Sequence, residues 1–313
     1  MTHRLILDTD GGVDDAQALM MLVANGRAPE AITTTFGNVG VDQATRNILD
    51  TLRVLGRDIP VHQGAAQPLV QPIVNATAIH GTDGLGGAQR PSDPMSPAGG
   101  DAVGFLRTLL REAAAKGETV DILAIGPLTN IALLLRTDPD CAAAIGQLTI
   151  MGGTVNGRGN ITPAAEFNIF ADPEAAEIVF SGSLDIVLVP WETCAAHFIG
   201  GDAVDGLLSG SDSTVLGRFA KALADHARRV TISYGNGDIF RYVDPLAAAV
   251  IIDPSVVTGS LEAAVSVALA PGLTRGMTVV DPSGRLGAKS VRIVTTADLD
   301  RVTALFARSL KSA

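Results

Sequence analysis

The sequence predicts an α/β fold, a mostly parallel, Rossmann-like open sheet with helices on both faces, in a single domain over residues 1–313. Three observations predict it. Short runs rich in β-branched residues alternate with longer runs whose apolar residues recur at helical spacing, and that alternation implies right-handed crossovers and parallel pairing. Hydrophobic residues make up 47% of the chain, enough for a large buried core and too many for disorder. No internal repeat or low-complexity linker divides the sequence, and α/β folds of this size often form one domain.

The elements run in order along the chain. Arg4–Thr9 reads as a buried strand, and residues 13–25 as a helix with Ala16, Leu19, Met20 and Val23 on one face. Residues 31–36 form a second strand rich in Thr and Ile, and residues 42–55 a helix with Asp42 near its start. Val61–Gln63 can form a short strand. Residues 67–100 are rich in Gly, Pro, Ser and Asp and predict a long loop, which in a compact domain is more often functional than idle. Residues 103–115 are helical, 120–125 a strong strand, and 128–136 a helix. Strands at 148–151 and 185–189 flank the helix Pro173–Phe180, whose proline suits a first turn. A further helix spans residues 215–230. In open parallel sheets ligands sit beyond the carboxyl ends of the strands, so the residues just after each strand matter most.

Charge and composition exclude several function classes. The net charge is −10 and the pI about 4.9. Nucleic-acid and anionic-membrane binding need clustered Lys and Arg, so neither partner is expected. Cys141 and Cys194 form no CxxC pair and suit a reducing cytosol. No apolar signal region precedes the first strand, and the apolar runs break before about 18 residues, so a cytoplasmic protein without a membrane span is expected.

The first strand runs into Asp8-Thr9-Asp10-Gly11-Gly12-Val13-Asp14-Asp15. Four carboxylates within eight residues repel one another unless a cation or protons compensate. The glycines permit a tight turn, and Asp14 and Asp15 fall in the first helical turn, where the macrodipole favours negative charge. A solvated acidic cap would need only one or two acids. A hard-cation site uses the whole set, because calcium and magnesium take carboxylate and carbonyl oxygens.

This motif resembles the signature of the nucleoside hydrolases, the calcium-dependent N-ribohydrolases of inosine- and uridine-preferring type. Gly11 stands where that family usually has Pro. Further matches occur in the same order along the chain: Phe36-Gly37-Asn38, Ile79-His80-Gly81, Gly126-Pro127-Leu128-Thr129-Asn130, Met151-Gly152-Gly153, Glu166-Phe167-Asn168 and Val243-Asp244-Pro245. The resemblance implies hydrolysis of a ribonucleoside to ribose and free base. It implies calcium held by the carboxylates of Asp10, Asp15 and Asp244 and by the backbone carbonyl of Ile125. Asp14 should be the general base on the water that the ion holds. Asn168 and Glu166 should hold ribose hydroxyls, with Asn160 and Met151 beside them, and Asn38 and His80 should line the same pocket. A homodimer or homotetramer is the expected assembly.

The chain departs from the best-studied branch at Val243, where a His that protonates the leaving base is replaced by a residue that cannot transfer a proton. The single Trp, Trp191, matches neither stacking position of another branch. Candidates for leaving-group acid or base pocket are His226, Tyr234, Asp238 and Tyr242, with Tyr234 in a Gly-rich stretch that could act as a lid. His62 and His197 read as structural, and Asp83 and Asp93 as loop solubilisers. Two rivals remain: a catalytically impaired ribose or nucleoside binder, and a haloacid-dehalogenase-type phosphatase suggested by Asp8-Thr9-Asp10-Gly11. The phosphatase reading lacks a suitably placed Lys and leaves Asp14 and Asp15 unexplained.

Overall fold

The computed structural model describes residues 4–93 and 95–310. Among them are eleven strands: β1 (Arg4–Thr9), β2 (Ala31–Thr34), β3 (Val61–Gln63), β4 (Val120–Ala124), β5 (Ile145–Met151), β6 (Ile186–Val189), β7 (Phe198–Gly200), β8 (Ile239–Arg241), β9 (Val257–Val267), β10 (Thr278–Asp281) and β11 (Ser290–Ala297). Nine form one sheet in the order β10-β9-β11-β6-β5-β4-β1-β2-β3. The run from β11 through β6, β5, β4, β1 and β2 to β3 is parallel throughout. β9 pairs antiparallel with both β11 and β10. β7 and β8 make a separate antiparallel pair.

Alternation along the central strands explains the layers. Successive side chains of a strand point to opposite faces. Leu5 and Leu7 of β1 and Leu123 of β4 join one buried cluster with Leu19 and Met20 of helix Val13–Ala24, Ala248 of helix Asp244–Ile252 and Phe306 of helix Leu299–Ser309. Ile6, Ile122 and Ala124 join the opposite cluster, with Leu106 of helix Ala102–Ala115, Ile131 of helix Thr129–Thr137 and Val179 of helix Pro173–Phe180. Both faces of the sheet are therefore covered, and its central strands have no polar face to show solvent.

The expected elements are present with ends shifted by a few residues, as in helix Val41–Val54 and strand β5. Several elements lie outside the sequence reading, among them β11 and the helices Trp191–Ala196, Gly201–Leu207, Asp244–Ile252 and Leu299–Ser309. The antiparallel β9–β10 edge and the β7–β8 pair were not predicted, and the expected 67–100 loop contains a short helix, Thr77–His80. β1 lies between β4 and β2, so its carboxyl end opens inside the parallel run.

Candidate active site

β1 ends at Thr9, and three residues carry the chain into helix Val13–Ala24. Gly11 makes this turn at φ +67°, and a Cβ on it would come 2.6 Å from the Ala44 backbone. Both the left-handed conformation and the close approach require glycine. Asn47 donates from Nδ2 to the Gly11 carbonyl at 2.7 Å and fixes the turn from the neighbouring helix.

The turn builds an acidic floor. Asp15 accepts from the Gly12 N–H at 2.8 Å, from the Asp10 N–H at 3.2 Å and from the Thr9 hydroxyl. Asn38 stands between two carboxylates: its backbone N–H and Nδ2 each donate to Asp10 at 2.8 Å, and Nδ2 lies 3.0 Å from Asp15. Asp244, in the first turn of helix Asp244–Ile252, closes the cluster. One carboxylate oxygen from each of Asp14, Asp15 and Asp244 lies within 4.8 Å of the others.

Burial sets the electrostatics. Asp10 and Asp244 are held well above the ordinary carboxylate range, first by desolvation and then by neighbouring carboxylates. Asp15 is raised by burial and by the charge of Asp14, and burial pushes Asp14 up to about 6. A protein interior does not keep several carboxylates together without compensation. Asp14 Oδ1 is buried and has no hydrogen-bond partner in the protein. The donors are hard oxygens. The Ile125 carbonyl accepts from Asn168 Nδ2 at 3.2 Å, and the next residue, Gly126, lies against Asp10, where a Cβ would come 3.0 Å from the Asp10 nitrogen. The cluster therefore fits a hard divalent cation.

Asp8 stands apart from this set. One oxygen accepts from Asn130 Nδ2 at 2.8 Å and from the Thr33 hydroxyl, and burial raises its carboxyl to about 6. Asn130 also bonds the Thr34 carbonyl and the Ala65 N–H, so Asp8 belongs to a tie between β1, β2 and the loop after β3.

A polar wall faces the floor. Glu166 caps helix Phe167–Ala171, accepting from the Asn168 N–H at 2.9 Å, the Ile169 N–H at 3.2 Å and the Gly153 N–H at 2.9 Å. Burial raises it to about 7. Asn168 Nδ2 also donates to the Met151 carbonyl at 3.1 Å, and Asn160 Oδ1 accepts from the Phe167 N–H at 2.8 Å. His80 lies above Asp14, with Nδ1 3.6 Å from Asp14 Oδ1 and 3.1 Å from the Val13 N–H that donates to it. Burial lowers its imidazole to about 4, so it is neutral with its proton on Nε2.

The remaining candidates separate. His226 Nε2 lies 2.8 Å from the Ile79 carbonyl. Tyr234 is exposed at the end of helix Val215–Ser233. Asp238 pairs with Arg228 through two 2.8 Å bonds and is not part of the acidic cluster. Tyr242 corrects the sequence reading: it is fully buried against Phe240 and Phe306, with its hydroxyl on Thr303 at 3.1 Å. Asp83 is a second correction, since it accepts from the Leu85 and Gly87 N–H groups and so builds its turn. Asp93 pairs with Arg53. His62 stacks on Phe105, and His197 bonds Thr193 and Ala297 in the core.

Several supports escaped the sequence. Thr9 lay inside the acidic motif and could have been found there. Glu192 accepts from the Val155 N–H at 2.7 Å and the Asn156 N–H at 2.8 Å, pinning the loop that leads to Asn160. No spacing signal marks it, because it acts on backbone some 36 residues away.

The family model described as inosine-uridine preferring nucleoside hydrolase matches residues 5–304. A relative from Klebsiella pneumoniae (strain 342), the non-specific ribonucleoside hydrolase RihC, is 39% identical over 297 residues, covering 95% of this chain and 93% of its own. The solved structure of a plant nucleoside hydrolase, PpNRh1, superposes with a TM-score of 0.90 at 31% identity over 100% of both chains. An inosine-guanosine nucleoside hydrolase gives a TM-score of 0.90 at 29% identity over the same extent.

Proposed function

From the premise that the chain belongs to the inosine-uridine preferring nucleoside hydrolase family, we propose that it hydrolyses the N-glycosidic bond of ribonucleosides over a calcium ion, with Asp14 as general base. The enzyme class, a nucleoside hydrolase releasing ribose and free base, follows from the family. The metal, the residue roles and the base preference are our reading. The observation that carries it is the buried, unpartnered Oδ1 of Asp14 beside carboxylates that need a cation.

Asp10, Asp15, Asp244 and the Ile125 carbonyl would hold the ion. Bound calcium would supply Lewis acidity toward a water and toward the ribose diol. Asp14 takes the proton of the attacking water at Oδ1, its free oxygen. The water oxygen adds to C1′ as the C1′–N bond breaks, and the bonding pair leaves with the base. The sugar becomes positive on the way, and the carboxylates around it stabilise that charge. Asn168, Glu166, Asn160, Asn38 and Met151 surround the ribose in this reading, and diol capture favours ribose over 2′-deoxyribose. His80 offers its Nε2 proton to the substrate as a hydrogen bond.

Val243 cannot protonate the departing base, and Tyr242 and Asp238 are engaged elsewhere. Bases that leave without prior protonation are therefore favoured. A kinetic panel tests this: kcat for uridine and for a nucleoside with an activated aglycone should exceed kcat for inosine. A strong preference for inosine that survives substitution of His80, His226 and Tyr234 would contradict it.

A further inference from the structure

Helix Val215–Ser233 packs over the segment that carries His80, and one ring joins the two. His226 Nε2 lies 2.8 Å from the Ile79 carbonyl oxygen. The same ring lies on Gly86, where a Cβ would come 2.2 Å from His226 Cγ and 2.6 Å from Nδ1. Gly86 adopts φ +61°, and its N–H donates to the His80 carbonyl at 2.9 Å. The turn that begins at Ile79 and closes at Gly86 is therefore gripped at both ends by His226.

Hydrogen-bond chemistry limits what this ring can do. A carbonyl only accepts, so Nε2 is the donor, and the neutral ring has no second N–H. Its one neutral-state donor is spent on backbone, and Nδ1 faces Gly86. The segment needs such a tie. Ala78 and Ile79 are exposed. Among the described residues, the hydrogen bonds that tie residues 77–82 to anything beyond the neighbouring residues 75–86 run to Val13, through His80, and to His226.

We propose that His226 is a positioning residue that latches helix Val215–Ser233 onto the 79–86 turn, and that Gly86 is the space the latch requires. The latch keeps His80 over Asp14 and spares the substrate the cost of ordering the turn. It rests on the reading that this segment lines the nucleoside pocket. Loss of a pre-ordered pocket weakens apparent affinity in proportion to the competent fraction, so it raises KM more than it lowers kcat.

The test uses the full chain, calcium-loaded, as wild type and as His226→Leu, His226→Gln and Gly86→Ala. Two quantities are measured: amide hydrogen exchange of the peptide covering residues 77–87, and the kcat and KM of ribose release from uridine. His226→Leu and Gly86→Ala should each speed exchange in that peptide and raise KM by about tenfold, the worth of one hydrogen bond. His226→Gln, which keeps a donor for the Ile79 carbonyl, should recover both. Exchange at the wild-type rate in both His226→Leu and Gly86→Ala overturns the latch. So does a collapse of kcat at constant KM and exchange, which would make His226 a proton donor instead. If the wild type releases no ribose, the functional reading fails, and the exchange rates still decide the latch.

Discussion

Asp14 and Asp15 are adjacent in one helical turn, yet the protein treats them differently. Asp15 is held by the Gly12 and Asp10 N–H groups, the Thr9 hydroxyl and Asn38. Asp14 keeps Oδ1 free. A fixed carboxylate suits a metal ligand, and a free one suits proton transfer. Titration calorimetry with calcium should therefore show Asp15→Asn losing affinity and Asp14→Asn keeping it. Equal loss in both variants would remove the distinction. Gly11 gives a second test at this scale. Pro is the residue the family resemblance leads one to expect there, but its φ near −65° is incompatible with the +67° observed. Gly11→Pro should lower the stability measured in denaturant by more than about 1 kcal/mol, and a neutral result would show that the turn can rebuild.

At the scale of elements, the site is a set of strand ends and loops clamped by polar side chains. Glu192 is the clearest clamp, holding two consecutive N–H groups of the 155–156 loop. Glu192→Ala should raise KM for nucleosides while leaving the calcium affinity of the floor unchanged, and unchanged KM would show that the loop holds Asn160 without it. This scale also shows what could be read from sequence. β1, β4 and β6 are near-continuous apolar runs, and their pattern was plain. The first half of β9 alternates half-buried and exposed residues through Val-Thr-Gly-Ser-Leu-Glu, where small residues blur the period. The 67–100 segment hid the helix Thr77–His80, too short to show a period. Asp10 and Asp15 were legible because one short motif holds both, and Asn38 because it stands in a second motif at the next strand end. Asn130 stood in a matched motif but its tie to the Ala65 N–H did not show, and Asn47 and Glu192 were not legible at all, because each binds backbone far away in sequence.

For the whole molecule, the acidic floor links metal, pH and stability. We propose that the chain unfolds as one domain, since a single nine-stranded sheet runs through it, and that it assembles as a homodimer or homotetramer, which light scattering would count. Exposed Val70 and Leu273 are apolar surface that such contacts could cover. None of the helices among the described residues is long and apolar enough to cross a membrane. Asp8 and Asp14 are raised to about 6, and Asp10, Asp15 and Asp244 are raised as well. Between the ordinary carboxylate range and pH 6 the metal-free native state binds more protons than the unfolded chain. The stability that Asp8 and Asp14 contribute is thus full below that range and lost as pH rises through 6, and that of Asp10, Asp15 and Asp244 changes in the same direction. A bound cation reverses the preference. The gain in Tm on adding calcium should therefore grow between pH 5 and pH 7 in scanning calorimetry. A gain that stays constant or shrinks would show that the cluster is not the binding site.

The most direct test of the central claim is ribose release from a ribonucleoside panel by wild type and Asp14→Ala, before and after chelation and again after calcium is restored. The account predicts release by wild type that stops on chelation, returns with calcium, and falls by about 10²- to 10⁴-fold in Asp14→Ala, the range for loss of a general base. Release that survives chelation, or an Asp14→Ala variant as active as wild type, would contradict it.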